Sequence, residues 1–292
     1  MKKVWFITGS SRGLGRELTA AVLASGDFVA ATARNISALD DLMEKFPEQL
    51  YPLTLDVNDK DAIYQAAADT VARFQRIDVL VNNAGFGITG SLEAFTEQQV
   101  ENQLRTNLFA PIDITRAVLP YMHQQGSGRI FQISSIGGRI GTAGLTIYQA
   151  AKFGLSGFSE ALAGEVAPLG IHVTCIEPGG FRTDWGGASM TYARKFAGYE
   201  STVDQIAAYF RSNKYIPVGD PEKAAKVLID LAVHPDPPVH LVLGSEAAGL
   251  LRNSESAKML EFEKWLPVTL STDHDDAINF LDTEEGKRLL KH

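Results

Sequence analysis

Short apolar runs alternate with longer amphipathic stretches along this chain of 292 residues, and this alternation constrains the fold more than any other feature. The apolar runs have the length and composition of buried strands. They lie at Lys3–Thr8, Phe28–Ala33, Tyr51–Leu55, Val79–Val81, Arg129–Ile133, Ile171–Ile176 and Val239–Leu243. Helical patterns lie between them, at residues 16–24, 37–46, 59–75, 97–124, 146–168 and 221–233. Strict alternation of this kind predicts an α/β fold with a doubly wound parallel sheet and helices on both faces.

Length and composition favour one domain followed by an extension. An apolar content of 45% in a chain of this length is enough for one large core. We expect residues 1–245 to form that domain, with helices of a substrate loop near residues 180–215. Beyond the last strand, residues 246–292 predict a helical extension packed on the same domain. Its acidic patch, Asp273–Asp276, is interpreted as a solvated surface, and no metal site is predicted.

Charge and cysteine content exclude several classes of function. The net charge of −8 and the lack of a basic run argue against nucleic acid or an anionic membrane as a partner. No apolar stretch reaches the length of roughly 18 residues that a membrane span needs. The single cysteine, Cys175, lies in an apolar strand pattern, which indicates a buried residue rather than a nucleophile. We therefore expect a cytoplasmic protein that acts on a small molecule.

A glycine-rich turn follows the first strand directly and opens the first helix. Its sequence is Gly9-Ser-Ser-Arg-Gly13-Leu-Gly15. Glycines permit a tight turn and a close approach of the backbone to a ligand, and the free N–H groups of a helix start favour a phosphate. A sharp bend without a ligand is the alternative, but the position within a strand–turn–helix unit favours a dinucleotide site. The predicted contacts come from Gly9, Ser11, Arg12, Gly13, Leu14 and Gly15.

Tyr148 and Lys152 stand four residues apart in a helical pattern, 13 residues after a Ser134-Ser135 pair that closes a strand. Positions i and i+4 share one helix face, so the ammonium can stabilise the phenolate and lower the tyrosine pKa. A hydroxyl with such a pKa is a general acid or base for a carbonyl and its alcohol. A surface tyrosine near a solvated lysine is the ordinary alternative for this spacing alone.

Taken together, the motifs resemble those of the short-chain dehydrogenase/reductase family, over residues 3–245. The shared motifs are Thr8-Gly9-x-x-x-Gly13-x-Gly15, Asn82-Asn83-Ala84-Gly85, the set Asn107, Ser135, Tyr148 and Lys152, and Pro178-Gly179 with Thr183. The resemblance implies a Rossmann-type fold and a nicotinamide cofactor. It assigns Ser135 to the substrate oxygen, Tyr148 to proton transfer, and Lys152 to the tyrosine and the nicotinamide ribose. Ser134 is the rival for the serine role, but the spacing favours Ser135.

The resemblance also implies further cofactor contacts and a subunit arrangement. The additional predicted contacts are Asp56, Val57, Asn83, Ala84, Gly85, Pro178, Gly179, Phe181 and Thr183, with Tyr148 and Lys152 shared with catalysis. In the family, the helices that carry Asn107 and Tyr148 commonly pair between subunits. A homodimer or homotetramer is therefore expected.

The residues that end the second strand predict the type of nicotinamide cofactor. A site for NAD places an acidic side chain there, whereas this chain has Ala30-Ala-Thr-Ala-Arg34. Arg34, with Arg12 from the glycine turn, is suited to the 2′-phosphate of NADP. Both arginines could instead be ordinary exposed charges, but we predict a preference for NADP(H).

Asn107 lies inside a long helical pattern, four residues before Pro111. Proline has no N–H to donate, so the Asn107 carbonyl is expected to be free within a kinked helix. In the family, this carbonyl holds a water that links the lysine to solvent. A kink made only for packing is an equal alternative.

The predicted reaction is hydride transfer between NADP(H) and a lipophilic ketone or aldehyde, or the reverse from the alcohol. Candidate substrate contacts are Phe86, Ile88, Leu145 and Trp185, together with Ser135 and Tyr148. Large apolar side chains between Phe181 and Tyr215 suit such a pocket, although they could also pack on the core. A redox-sensing protein that binds NADP(H) without turnover, a 3-oxoacyl thioester reductase and a nucleotide-sugar epimerase are the alternatives. The last lacks support because its usual glycine turn and longer substrate domain are not found.

Overall fold

The alternation expected from the sequence is present in the computed structural model, which describes residues 2–183, 185, 189–212 and 215–289. The strands are β1 Val4–Thr8, β2 Phe28–Ala33, β3 Leu50–Thr54, β4 Val79–Asn82, β5 Gly87–Thr89, β6 Gly128–Ile133, β7 Ile171–Pro178, β8 Met190–Tyr192 and β9 His240–Leu243. Seven of them form one parallel sheet in the order β3-β2-β1-β4-β6-β7-β9. This is the predicted doubly wound sheet, with its order reversing between β1 and β4.

Helices connect these strands. The α-helices are α1 Gly13–Ala24, α2 Asp40–Lys45, α3 Lys60–Phe74, α4 Glu97–Leu104, α5 Ala110–Gln125, α6 Thr146–Val166, α7 Val203–Arg211, α8 Pro221–Leu231, α9 Ser245–Leu270 and α10 Glu284–Leu289. Several begin at side-chain caps that the sequence supplies. Asp59 accepts the Ala62 N–H at 3.0 Å to start α3, and Thr96 with Gln99 forms a capping box for α4.

Both faces of the sheet are buried, as parallel strands require. Along β1, Trp5 and Ile7 point into one apolar cluster, which contains side chains of α1 and α8. Phe6 points into the opposite cluster, which contains side chains of α3, α5 and α6. These three side chains of β1 are fully buried. Burial on both faces explains why the strands read as continuous apolar runs.

Two local features differ from the sequence prediction. The helix expected over residues 97–124 is interrupted by a π-helical turn at Arg105–Phe109, so it becomes α4 and α5. A small parallel pair, β5 with β8, was not expected and ties the chain after Asn83-Ala84-Gly85 to the substrate loop. Within that loop, only α7 forms an α-helix among the described residues.

The chain divides into two compact units, Met1–Leu251 and Arg252–His292. The first holds the whole sheet, and the second holds the larger part of α9 and α10. The predicted packing of the extension on the first domain remains a prediction. None of the helices in the described ranges is both long enough and apolar enough to cross a membrane.

Candidate active site

The carboxyl ends of the central strands border one large cavity, of about 1600 Å³. Its position beside the reversal of strand order is where doubly wound sheets bind their ligands. The predicted cofactor residues line this cavity with the single exception of Gly15, which is buried. The structure therefore brings together residues that lie as far apart in the sequence as Gly9 and Thr183.

The glycine turn has the backbone geometry of an anion site. Gly9 and Gly13 have φ values of +68° and +55°, a region that L side chains rarely adopt. A Cβ on Gly15 would lie 2.4 Å from the Gly9 carbonyl oxygen. Helix α1 starts here without a side-chain cap and without an acidic residue in its first turn. Its first N–H groups therefore remain available for a phosphate.

Thr8 and Asn83 hold this turn against the end of β4. The Thr8 hydroxyl accepts the N–H groups of Asn83 and Ala84 at 3.0 and 3.1 Å. The Asn83 amide donates to the carbonyls of Thr8 and Gly9 at 2.9 and 3.1 Å. The two motifs thus stabilise each other, and a predicted cofactor residue, Asn83, has an additional structural role.

At the same end of the cavity as the glycine turn, the exposed residues Arg12 and Arg34 form part of its lining. No ion-pair partner for either arginine is found among the residues that the structure describes. Asp56 lines the same cavity and accepts the Asn58 N–H at 2.9 Å, while Val57 is buried. This end therefore offers two cations where a ligand phosphate can be paired.

The predicted catalytic side chains meet at the opposite end. Tyr148 and Lys152 lie on α6, with 4% and 6% of their surface exposed. The Lys152 Nζ donates to the Ile133 carbonyl at 2.8 Å and lies 5.9 Å from the centre of the Tyr148 ring. Ser135 follows β6, where its hydroxyl accepts the Gly137 N–H at 3.0 Å, and its side chain lies near the Tyr148 ring.

The pKa of Tyr148 is raised overall in this structure, rather than lowered as the sequence led us to expect. Burial raises the pKa of Tyr148 to about 12, and the nearby Ser135 hydroxyl opposes this rise only in part. Burial also lowers the pKa of Lys152 to about 8. Both shifts have the same cause, since a low-dielectric site disfavours the charged form of each group. In this arrangement the phenol is a proton donor at neutral pH.

Ser134, the rival for the serine role, is hydrogen-bonded through its hydroxyl to residues of α6. Its hydroxyl donates to the Lys152 carbonyl at 3.2 Å and lies 3.1 Å from the Ser156 hydroxyl. It is 97% buried against α6, although it borders the cavity wall. This placement supports the assignment of Ser135.

Asn107 lies in the π-helical turn between α4 and α5 and is fully buried. Its side-chain amide donates to the Phe86 carbonyl at 2.8 Å and accepts the Phe86 N–H at 3.2 Å. Gln103 donates to the same carbonyl at 2.9 Å. The Asn107 side chain therefore positions the segment after β4, which leaves only its main-chain carbonyl for the predicted role in solvent linkage.

The loop after β7 closes a further side of the cavity. Gly179 donates to the Leu243 carbonyl at 3.0 Å, and Gly180 donates to a Glu246 carboxylate oxygen at 3.1 Å. Thr183 reaches the glycine turn, because a Cβ on Gly13 would lie 3.5 Å from its Cβ. The loop is thus held by the end of β9 while its far end lies against the cofactor turn.

The substrate end is largely aromatic. The ring centre of Trp185 lies 5.5 Å from that of Tyr148 and 6.2 Å from that of Phe210. Phe86 and Leu145 also line the cavity. The prediction for Ile88 is wrong, because this side chain lies in β5, is 98% buried and does not border the cavity.

Some lining residues were missed by sequence reasoning. Tyr215 and Glu246 border the cavity, and the Tyr215 hydroxyl donates to the Glu246 carboxylate at 3.0 Å. Burial and the nearby carboxylate raise the pKa of Tyr215. Glu246 follows the last strand, in a stretch with no motif, so no sequence signal pointed to it. Phe196 and Tyr199 border a separate cavity of about 300 Å³ instead.

Comparison with known proteins agrees with this geometry. Residues 3–191 match the short chain dehydrogenase family. An oxidoreductase, BOA17, of Botryotinia fuckeliana is 41% identical over 93% of this chain and 100% of its own length. A 3-ketodihydrosphingosine reductase of Bacteroides thetaiotaomicron is 34% identical over 91% of this chain and 93% of its own length.

Solved structures give the same result. A short-chain dehydrogenase from Streptomyces avermitilis has a TM-score of 0.89 and 38% identity, over 94% of this chain and all of its own. A serine dehydrogenase in complex with NADP+ has a TM-score of 0.71 and 28% identity, over 82% of this chain and 94% of its own. The chain belongs to the short-chain dehydrogenase family and is an oxidoreductase with a site for a nicotinamide cofactor.

The contacts of Gly15 predict that Gly15→Ala weakens both the fold and the cofactor site. Its Cβ would lie 2.3 Å from the Asn83 amide nitrogen, so we expect a loss of about 1–3 kcal/mol in the free energy of unfolding. Gly164→Ala is the matched control, because its Cβ meets nothing within 4 Å and helix propensity gives a gain of about 0.5–1 kcal/mol. Urea unfolding checks both; equal effects of the two substitutions would contradict the packing described.

Proposed function

We propose that this chain is an NADP(H)-dependent oxidoreductase that interconverts a lipophilic ketone or aldehyde and its alcohol. The observation that carries the proposal is the buried Tyr148 side chain, which lies near Ser135 and Lys152 in the wall of the cavity that the glycine turn also borders. This grouping of a phenol, a hydroxyl and an ammonium is suited to the transfer of a proton to a carbonyl oxygen.

Each catalytic side chain has a chemical role that follows from its contacts. The reduced nicotinamide, when bound, supplies a hydride to the carbonyl carbon. Ser135 accepts the Gly137 N–H through its oxygen, so its own O–H can donate to the substrate oxygen. Tyr148 then gives its proton to that oxygen as negative charge develops, and Lys152 stabilises the phenolate that remains. In the oxidation of an alcohol, the same groups return the proton.

The proposed cofactor is NADP(H). The open start of α1 fits a pyrophosphate, and Arg12 with Arg34 fits an adenosine 2′-phosphate. A carboxylate that would pair with ribose hydroxyls is missing from the end of β2, where Arg34 stands. The NADP+ complex of the related serine dehydrogenase supports this choice.

The proposed substrate is lipophilic. Trp185 and Phe210 place aromatic rings next to Tyr148, with Phe86 and Leu145 in the same cavity. Their apolar surface favours an apolar body on the substrate, whose carbonyl alone meets Ser135 and Tyr148. Similarity to a 3-ketodihydrosphingosine reductase supports a ketone of this character.

Subunit pairing through the helices of Asn107 and Tyr148 is also proposed. Phe109, in the π-helical turn, and Phe153, on α6, leave 47% and 43% of their surface exposed. Exposed aromatic side chains are enriched at subunit interfaces, which supports this pairing.

Removal of the Tyr148 hydroxyl tests the proposed proton transfer. We expect Tyr148→Phe to lower kcat by about 10²–10⁴-fold, the usual contribution of a general acid, while the Kd for NADPH changes far less. Tyr209→Phe is the control, because Tyr209 is 49% exposed and does not border the cavity. Turnover by Tyr148→Phe at the wild-type rate would refute the assignment.

The cofactor preference is tested by Arg34→Ala. Loss of a charge-assisted hydrogen bond to the 2′-phosphate is expected to raise KM for NADPH about 10–100-fold and to leave KM for NADH unchanged. Arg73→Ala removes an exposed cation from α3 and should change neither value. An unchanged ratio of the two KM values in Arg34→Ala would count against the proposal.

The proposed role of Lys152 predicts a pH profile. Its ammonium loses a proton above about pH 8, whereas Tyr148 keeps its proton up to about pH 12. The rate of carbonyl reduction should therefore be constant below pH 8 and fall about tenfold per pH unit above it. Steady-state kinetics from pH 6 to 10 provide the measurement, with circular dichroism at each pH to exclude unfolding; a rate that stays constant to pH 10 contradicts the role.

A further inference from the structure

Glu177 is a buried carboxylate at the end of β7, immediately before Pro178-Gly179. None of its side-chain surface is exposed. A buried carboxylate is costly unless it is paired and hydrogen-bonded. The identity of its partners therefore indicates what the residue does.

Two charged partners come from different parts of the chain. His240, at the start of β9, places its Nδ1 atom 2.8 Å from one carboxylate oxygen. Arg139 places a guanidinium nitrogen 3.4 Å from the other oxygen. Arg139 ends the short 3₁₀ turn that Ser135 caps. One carboxylate thus joins the segment of the catalytic serine, the last strand and the loop that begins at Pro178.

The surroundings of His240 favour its charged form. Its neighbours are Glu177 and Cys175 on β7, and Glu160 on α6, whose carboxylate lies 3.7 Å from Nε2. Hydrogen bonding to Cys175 and to Glu177 raises the pKa of His240 to about 9, although burial opposes the shift. Glu177 is therefore part of an ion pair at neutral pH.

A metal site is the competing interpretation of this cluster. Cys175, Glu177 and His240 offer ligand atoms that lie within 4.8 Å of one another. However, the carboxylate already contacts an imidazole and a guanidinium, and the thiol lies 3.5 Å from the Ser156 hydroxyl. A cation would have to enter beside Arg139, so the geometry favours the ion pair.

Glu177 anchors only the first end of the loop that follows it, the end that begins at Pro178. Gly179 and Gly180 are held by Leu243 and Glu246, and the following residues reach the glycine turn at Thr183. We propose that Glu177 is a positioning residue, whose carboxylate aligns the loop from Pro178 to Thr183 with the Ser135 segment so that the nicotinamide half of the cofactor is bound. The inference rests on the proposed NADP(H) function and adds a residue that touches neither cofactor nor substrate.

The test compares binding of the whole cofactor with binding of its adenosine half alone. Glu177→Gln keeps the size of the side chain and a carbonyl acceptor but removes the charge. We expect its Kd for NADPH to rise about tenfold or more, because displacement of a binding group by a small distance is costly. Its Kd for adenosine 2′,5′-bisphosphate, which lacks the nicotinamide, should equal the wild-type value. Isothermal titration calorimetry measures both constants without a substrate.

A control variant, a second test variant and a chelator control complete the experiment. Glu160→Gln removes a carboxylate that is 73% exposed and should change neither constant. His240→Gln breaks the same ion pair from its more accessible side, and it provides the test if Glu177→Gln does not fold. Its affinity for NADPH should fall selectively as well. Treatment with EDTA should leave the wild-type affinities unchanged.

Several outcomes would overturn the inference. Equal loss of affinity for NADPH and for the bisphosphate in either variant would indicate a general structural role. Wild-type affinity for NADPH in both variants, or a selective loss after EDTA treatment, would contradict the ion-pair anchor. A wild-type chain that binds neither ligand would refute the proposed NADP(H) function, and the inference with it, which is a distinguishable result.

Discussion

The parallel pairing of β1 with both β2 and β4 is the constraint on which the rest of the structure depends. Because strand order reverses there, the chain segments that follow β1 and β4 run in opposite directions. A crevice therefore remains between them at the carboxyl ends of these strands. Thr8, the last residue of β1, then binds the backbone after β4, which sets the distance between the glycine turn and Asn83. The cofactor site is therefore a consequence of sheet topology, with glycines only at the points where backbone must approach closely.

Burial decides the chemistry at the other end of the same cavity. Tyr148 and Lys152 are both withdrawn from water, and each has its pKa shifted toward the neutral form. A phenol that keeps its proton at neutral pH is suited to protonate an alkoxide, the step that carbonyl reduction requires. Trp185 contributes to this burial through its ring contact with Tyr148. The substrate loop thus affects the acid as well as the pocket.

The parallel sheet, the glycine turn and the placement of Tyr148 and Lys152 on one helix could be predicted from the sequence, because strands buried on both faces and helical i, i+4 spacing leave clear local patterns. Prediction from the sequence failed where contacts between distant segments determine the position or the pKa of a residue. Ile88 reads as a pocket residue but pairs within β5, a three-residue strand whose partner lies about a hundred residues away. The pKa of Tyr148 depends on burial by distant segments, and Glu246 acquires its role only through contacts with Gly180 and Tyr215. Pro111 indicated a disturbed helix, but not its π-helical form.

The central claim is that this site transfers hydride from NADPH to a lipophilic carbonyl. The most direct measurement is oxidation of NADPH and of NADH in the presence of an aromatic ketone, a medium-chain aldehyde, a steroid ketone, retinal or an acetoacetyl thioester. We expect turnover with NADPH on at least one of the first four carbonyls, at a higher kcat/KM than with NADH. NADPH binding without oxidation on any of the five would contradict it and favour a redox-sensing protein, whereas turnover on the thioester alone would favour a 3-oxoacyl thioester reductase.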